Sequence, residues 1–277
     1  MNHYKYIAGI ASVPYFLKGC IKFTPVSELN DPSELTSNVI LEDVLYSLER
    51  LRTNGYSQED LIHLQRQSNL LQLLAPEFQA ISVPKSTAKA TALIRSPFYD
   101  QIPLLLSLLE QAANVISSKV GIFCLSKRWD SLPMWAHYAD NASGIVIEFS
   151  DLEKDFLGDS TGIVKKPVNV RYEREKNSIT FEPRSHESLF FDKFQDWSYE
   201  QEVRIVMPLK ECNVVNSGNH KLYLYDIPVK RVSRLILGWR MSDVVVDEII
   251  EQVSLCEHKV EVIKSKISKG RVILENI

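Results

Sequence analysis

Part-way along the chain the spacing of apolar residues changes, and the two stretches cannot share one kind of secondary structure. Between residues 38 and 118 the apolar side chains recur at three and four. Val39, Leu41, Val44, Leu45, Leu48 and Leu51 make one helical stripe, closed by Asn54-Gly55. A second helix is predicted from Ser57-Gln58-Glu59-Asp60 through Leu61, Leu64, Leu70, Leu71 and Leu74 to Pro76, and a third from Leu104 to Ile116. Residues 76–97, with Pro76, Pro84, Pro97 and small polar side chains, read as a loop or lid. From 119 onward the period drops to two. Strands are predicted at Val120–Leu125, Gly144–Phe149, Ile163–Tyr172, Tyr199–Met207, Lys221–Tyr225, Val232–Gly238, Val260–Ile263 and Arg271–Leu274. Two helices interrupt them, Pro133–Asn141 with proline at its start and Ser242–Leu255 with Ser242 as its cap. Ahead of all this, His3–Ala8 and Cys20–Thr24 are short strands around a short helix capped by Ser12. Strands, then helices, then many strands make an α+β fold. We expect one mixed, mainly antiparallel sheet in a single domain spanning residues 1–277, with 38–118 as a helical insertion.

Composition narrows the function classes. The 277 residues hold 32 Lys plus Arg against 35 Asp plus Glu, a net charge of −3, which argues against coating nucleic acid by bulk charge but leaves room for a local basic groove. Cys20, Cys124, Cys212 and Cys256 are far apart and form no C-x-x-C pair, so neither zinc nor a redox pair is supported, and a reducing cytoplasm fits. No apolar run approaches the roughly 20 residues of a membrane helix. Ile7–Cys20 has a loose lipoprotein look, rejected because Pro14 interrupts it and Lys18 sits just before the would-be cleavage point.

Two stretches carry chemistry. The first is Lys193-Phe194-Gln195-Asp196-Trp197-Ser198-Tyr199-Glu200-Gln201-Glu202-Val203-Arg204. On one continuous strand, Glu200, Glu202, Arg204 and Val206 share a face, and Tyr199, Gln201, Val203, Ile205 and Met207 share the other. A solvated outer face, with Arg204 balancing Glu202, is the bland reading. A cleft that presents a glutamate to a ligand is the sharp one, with Trp197 and Tyr199 as a stacking wall. The second stretch runs from Ser126 through Trp129, Asp130, Trp135, His137 and Tyr138 to Gly144, polar groups at a strand end beside a helix start. Its bland reading makes Trp135 core and His137 structural. Leu29-Asn30-Asp31-Pro32 reads as an Asx-type turn. Dinucleotide, P-loop, zinc-protease and serine-hydrolase signatures are missing, and the six histidines lack metal-ligand spacing.

Taken in order, these blocks resemble a known family. They are an aromatic-Lys-Tyr strand at Tyr4-Lys5-Tyr6, L-N-D-P at 29–32, F-C-L-S at 123–126, P-M-W-A-H-Y-A-D-N-x-x-G-I-V-I-E-F at 133–149, W-S-Y-E-x-E-x-R-I at 197–205 and I-L-G at 236–238. The chain is similar to the uncharacterised bacterial family known as domain of unknown function 2971, from Tyr4 to about Ile263, departing from it at Ser33-Glu34, where an aromatic is expected after the proline. Glu200-Gln201-Glu202 is also similar to the E-x-E of ADP-ribosyltransferases, as is the plan of early strand and helix, helical insertion and late glutamates.

That second resemblance implies an NAD-dependent effector, in anti-phage defence or as a toxin, with NAD as substrate and a protein or nucleic acid as acceptor. Glu202 would be its catalytic residue and Glu200 would face the acceptor. Tyr4, Lys5, Trp135, His137, Tyr138, Trp197 and Arg204 would form the binding surface. Two alternatives stay open. One is a nuclease or hydrolase holding a divalent metal on Asp130, Glu200 and Glu202. The other is a module that binds a nucleotide or peptide without chemistry.

Overall fold

The computed structural model describes residues 1–29, 41–62, 64, 65, 68, 84–96, 107, 110, 111, 114, 115, 117–156, 165–174, 188–218 and 220–277, and the elements below are numbered within them. The turn at Asn30-Asp31-Pro32 and most of the helices predicted from Ser57 to Pro76 and from Leu104 to Ile116 lie outside these residues.

Strand β1 (Asn2–Ile7) is followed by helix α1 (Val13–Leu17) and strand β2 (Cys20–Pro25). Helix α2 (Leu41–Asn54) ends as its sequence predicts, with Gly55 at φ +76° donating its N–H to the Leu51 carbonyl at 2.8 Å. At the start of the next helical turn, Ser57 and Asp60 exchange side-chain-to-backbone hydrogen bonds of 3.1 and 2.8 Å, a reciprocal cap. Part of the predicted proline-rich loop is instead helix α3 (Thr87–Arg95), capped by Ser86, whose Oγ accepts from the Lys89 N–H. Its alanine-rich sequence favours a helix between the prolines. Arg95 donates to the Arg52 and Thr53 carbonyls at 2.9 and 3.1 Å, satisfying the open end of α2.

The strand-rich part follows. Strand β3 (Val120–Ser126), helix α4 (Leu132–Tyr138) and strand β4 (Ile145–Ser150) lead to two short strands, β5 (Val168–Asn169) and β6 (Arg171–Glu173), where one was predicted. Helix α5 (Ser188–Phe191), strand β7 (Asp192–Phe194) and strand β8 (Glu202–Pro208) follow. Then come β9 (Asn213–Ser217), which sequence reading missed, β10 (His220–Asp226), β11 (Val232–Leu237), helix α6 (Asp243–Ser254), β12 (Glu261–Ser268) and β13 (Arg271–Asn276). Ser242 holds the cap position of α6 and Ser12 that of α1, but neither side chain makes a capping hydrogen bond.

Eleven strands form one sheet in the order β13-β12-β11-β4-β1-β3-β2-β10-β9, with β8 added on β3 and β5 on β8. Among the described residues only β11 and β12 run parallel within it, so the fold is α+β with a mixed, mainly antiparallel sheet. Strands β6 and β7 pair in parallel as a separate two-stranded sheet. Strands β2 and β3 are sheet neighbours, so α2 and α3 lie in the chain between adjacent strands.

The two faces of the sheet bury separate cores. Val203, Ile205 and Met207 of β8 join Phe23, Phe123, Phe149, Leu235 and Ile249 on one face. On the other, α4 lays Met134 and Trp135 against Tyr6, Val146 and Ile236. After α4 the chain makes a tight left-handed turn: Asp140, Asn141 and Ala142 have φ of 47°, 51° and 69°. Side chains disfavour that region. The two glycines packed beside it leave no room for a side chain. A Cβ on Gly144 would stand 2.3 Å from the Ile7 carbonyl oxygen, and one on Gly238 would stand 2.1 Å from that of Ala142.

Candidate functional site: a split in the sheet

The candidate site begins at an irregularity of β3. One edge of this strand pairs along its length with β8, from Val120 opposite Pro208 to Ser126 opposite Glu202. Its other edge is shared: β2 pairs at Ile122 and Gly121, and β1 pairs at Ser126. Between them the backbone at Cys124 is met by a side chain, Lys5 Nζ donating to the Cys124 carbonyl at 3.0 Å. A cleft of about 80 Å³ opens there. Tyr4, Lys5 and Tyr6 of β1 wall one side and Tyr138 of α4 another, and Lys193, Glu200, Glu202 and Arg204 bring the charge.

The two glutamates arrive by different routes, which corrects the single strand read from the sequence. Gln195–Glu200 is a 3-10 turn, and Gln201 is left-handed (φ 44°, ψ 51°), so the strand starts only at Glu202. Alternation holds from there, with Glu202 and Arg204 on the cleft face and Val203 and Ile205 in the opposite core. Tyr199 and Gln201 therefore do not continue that alternation. The turn is pinned to β3: Ser126 Oγ donates to the Glu200 carbonyl at 2.6 Å, and the Lys127 N–H to that of Gln201 at 3.1 Å.

The charges pair closely. Arg204 donates to both oxygens of Glu202, Nε to Oε1 at 2.8 Å and Nη2 to Oε2 at 2.9 Å, and its Nη1 donates to the Phe190 carbonyl at 2.8 Å. Lys193 Nζ donates to Glu200 Oε2 at 2.7 Å and Glu202 Oε2 at 3.3 Å, and lies 4.8 Å from the centre of the Trp197 ring. Tyr138 Oη donates to Glu200 Oε1 at 2.6 Å. The Glu202 N–H donates to Tyr172 Oη at 2.7 Å. All four charged groups are at least nine-tenths buried.

Burial pushes the Glu200 carboxyl above its ordinary value, against the pull of Lys193. Burial acts the same way on Glu202, but there Arg204 and Lys193 outweigh it and hold the carboxyl at about 2. Burial also raises the Cys124 thiol, and lifts the Tyr172 phenol to about 12.

The sequence-predicted residues divide accordingly. Tyr4, Lys5, Tyr138, Glu200, Glu202 and Arg204 meet at the cleft. Trp197 supports it from behind Lys193. Trp135 does not reach it and is corrected to a core residue: it is fully buried, its Nε1 donates to the Trp129 carbonyl at 2.7 Å, and its ring meets Tyr6 edge-on. His137 faces solvent, its Nδ1 sharing a 3.0 Å hydrogen bond with Tyr199 Oη, and does not line the cleft. Asp130 is also outside, paired with Arg128 Nε at 2.9 Å, so the trio read as metal ligands does not assemble. Among the described residues no group of three or more His, Cys, Asp or Glu side chains is placed to hold a metal ion, and Lys193 occupies the cation position between the two glutamates. Sequence reasoning missed Lys193, Tyr172 and Cys124. Only the proximity of Lys193 to the E-x-E pair offered a signal.

Among the described residues no helix is long and apolar enough to cross a membrane. No curated protein and no solved structure matches the chain. Residues 134–205, the stretch that contributes Tyr138, Lys193, Glu200, Glu202 and Arg204 to the cleft, match the model of a family described as protein of unknown function (DUF2971), and over that stretch the chain is similar to this family.

Proposed function

We propose that the cleft is the active site of an NAD-dependent ADP-ribosyltransferase-like enzyme. The observation that supports this reading is the meeting of two late glutamates with the first strand and a tyrosine in one concave site. Its chemistry is electrostatic: a fixed negative charge held in a dry recess stabilises positive charge developing on a ribose as nicotinamide leaves. A cleft of about 80 Å³ takes one ring-sized portion of the substrate, leaving the rest of the dinucleotide to lie across the rim. Such an enzyme would act on a protein or nucleic-acid acceptor as an effector, in phage defence or as a toxin.

A metal-dependent hydrolase is the weaker reading, because Asp130 lies outside the cleft and Lys193 takes the cation position between the two glutamates. The decisive experiment incubates the full chain with NAD and follows nicotinamide by chromatography, with and without a bacterial lysate as acceptor. Release by the wild type that is lost in the Glu200→Gln/Glu202→Gln variant supports the reading. No release under either condition rejects it.

A further inference from the structure

The described residues hold a second hollow, larger than the cleft and on the other face of the sheet. It measures about 440 Å³ and lies between the end of α1 and the end of α6. Leu17 of α1 and Val246 and Ile249 of α6 belong to the core that opposes the cleft face. We infer that this hollow is a binding site in its own right, for a small apolar molecule that carries a protonated amine.

The walls supply the apolar part. Pro14 and Leu17 of α1 line it together with Val229 and Leu255, and Leu255 is 80% exposed at the rim. Sites that bury a small molecule measure about 300–1,000 Å³ and have mostly apolar walls with a few placed polar groups. The cleft is too small for a whole molecule of that kind, and this hollow is not. The Cys256 thiol donates to the Gln252 carbonyl at 3.7 Å, so it adds wall and not a free donor.

The polar groups select for a donor. Gln252 lines the hollow, and its Nε2 donates to Glu248 Oε1 at 3.2 Å, which sets the way the amide points. Its Oε1 is left buried with no hydrogen-bond partner among the described residues. An acceptor in that state carries a desolvation cost that a bound N–H removes. His258 Nε2 lies 3.2 Å from the Val232 carbonyl. A carbonyl only accepts, so Nε2 carries the hydrogen and Nδ1 of the neutral ring is a second acceptor. The hollow also sits at the C-terminal end of α6, the negative end of the helix, where a cation is favoured. Lys18 and Glu257 bring one exposed charge of each sign to the lining and cancel. The buried acceptor and the helix end therefore decide the sign, and they favour an ammonium over a carboxylate.

The test is calorimetry on the full chain with two probes that share a phenyl ring and a two-carbon arm, 2-phenylethylamine and 3-phenylpropionate. We expect the amine to bind saturably with a Kd of about 1 mM or tighter, and the carboxylate to bind about 10-fold more weakly or not at all. Gln252→Met keeps the length of the side chain and removes the acceptor, and should weaken the amine by about 10-fold. Val229→Trp fills the hollow from its wall and should abolish binding. If that variant does not fold, Leu255→Trp, on the exposed rim, replaces it. Three results overturn the inference: no saturable binding of the amine, a carboxylate that binds as tightly, or an amine affinity unchanged in Gln252→Met or in the filled variant.

Discussion

Lys5 crosses the split between β1 and β2 to donate a 3.0 Å hydrogen bond to the carbonyl of Cys124, standing in for a missing strand. An unpaired strand carbonyl in a partly buried position carries a desolvation penalty, so the ammonium supports the sheet as well as lining the cleft. Lys5→Met keeps the length of the side chain and removes the donor. We expect a loss of about 1–3 kcal/mol in urea unfolding. A loss within error of zero would show that water satisfies the carbonyl equally well.

Arg204 and Glu202 are two residues apart on one strand face and joined by two hydrogen bonds. Removing the guanidinium leaves Glu202 with the longer contact to Lys193 at 3.3 Å. Arg204→Met should cost about 3–5 kcal/mol. The double variant Glu202→Gln/Arg204→Met should be more stable than Arg204→Met alone, because it removes the carboxylate that has lost its two shortest hydrogen bonds. Strict additivity in this double-mutant cycle would rule out the coupling.

Trp135 is the fully buried centre of the core beneath α4, packed against Tyr6 and Trp239. Trp135→Ala should destabilise by about 3–5 kcal/mol in chemical denaturation. Trp135→Phe should cost less, since it keeps most of the ring and loses only the bond to Trp129. Full stability in the alanine variant would contradict the core placement.

His3 gives the fold a pH dependence. It is 4% exposed, and its Nδ1 has no hydrogen-bond partner among the described residues. Burial first, then the amino terminus and Lys127, hold its pKa below the ordinary 6.5, with Glu153 opposing. The unfolded chain therefore takes up a proton at a higher pH than the folded one. The stability this group gives is complete above about pH 6.5 and is lost as the pH falls from there toward the folded value. Urea melts at pH 7.5 and 5.5 should show the wild type losing more stability on acidification than His3→Leu. Equal losses would mean that His3 titrates alike in both states.

Much of the sheet was legible because strands with a core on both faces read as short runs rich in β-branched and other apolar residues. Strands β3, β4 and β8 are such runs, buried along nearly their whole length. Strand β9 is not: Asn213–Ser217 is exposed along its whole length, so no burial pressure patterned it. Helix α3 was hidden by the prolines around it. At the site, the motif residues Tyr138, Glu200 and Glu202 were visible, yet a left-handed Gln201 moved Glu200 off the strand, a backbone choice that no side-chain period reports. Lys193 lies on β7, opposite Tyr172 in the parallel pairing with β6, a tertiary event invisible in a local window.

Because Pro25 and Gly121 face each other across adjacent strands, the intervening helical stretch begins and ends at nearly the same point. Ring closure depends on the number of links only logarithmically, so doubling that stretch would add roughly 0.6 kcal/mol. Length there is consequently free to drift, by insertion or deletion, while the pairing of β2 with β3 stays in register.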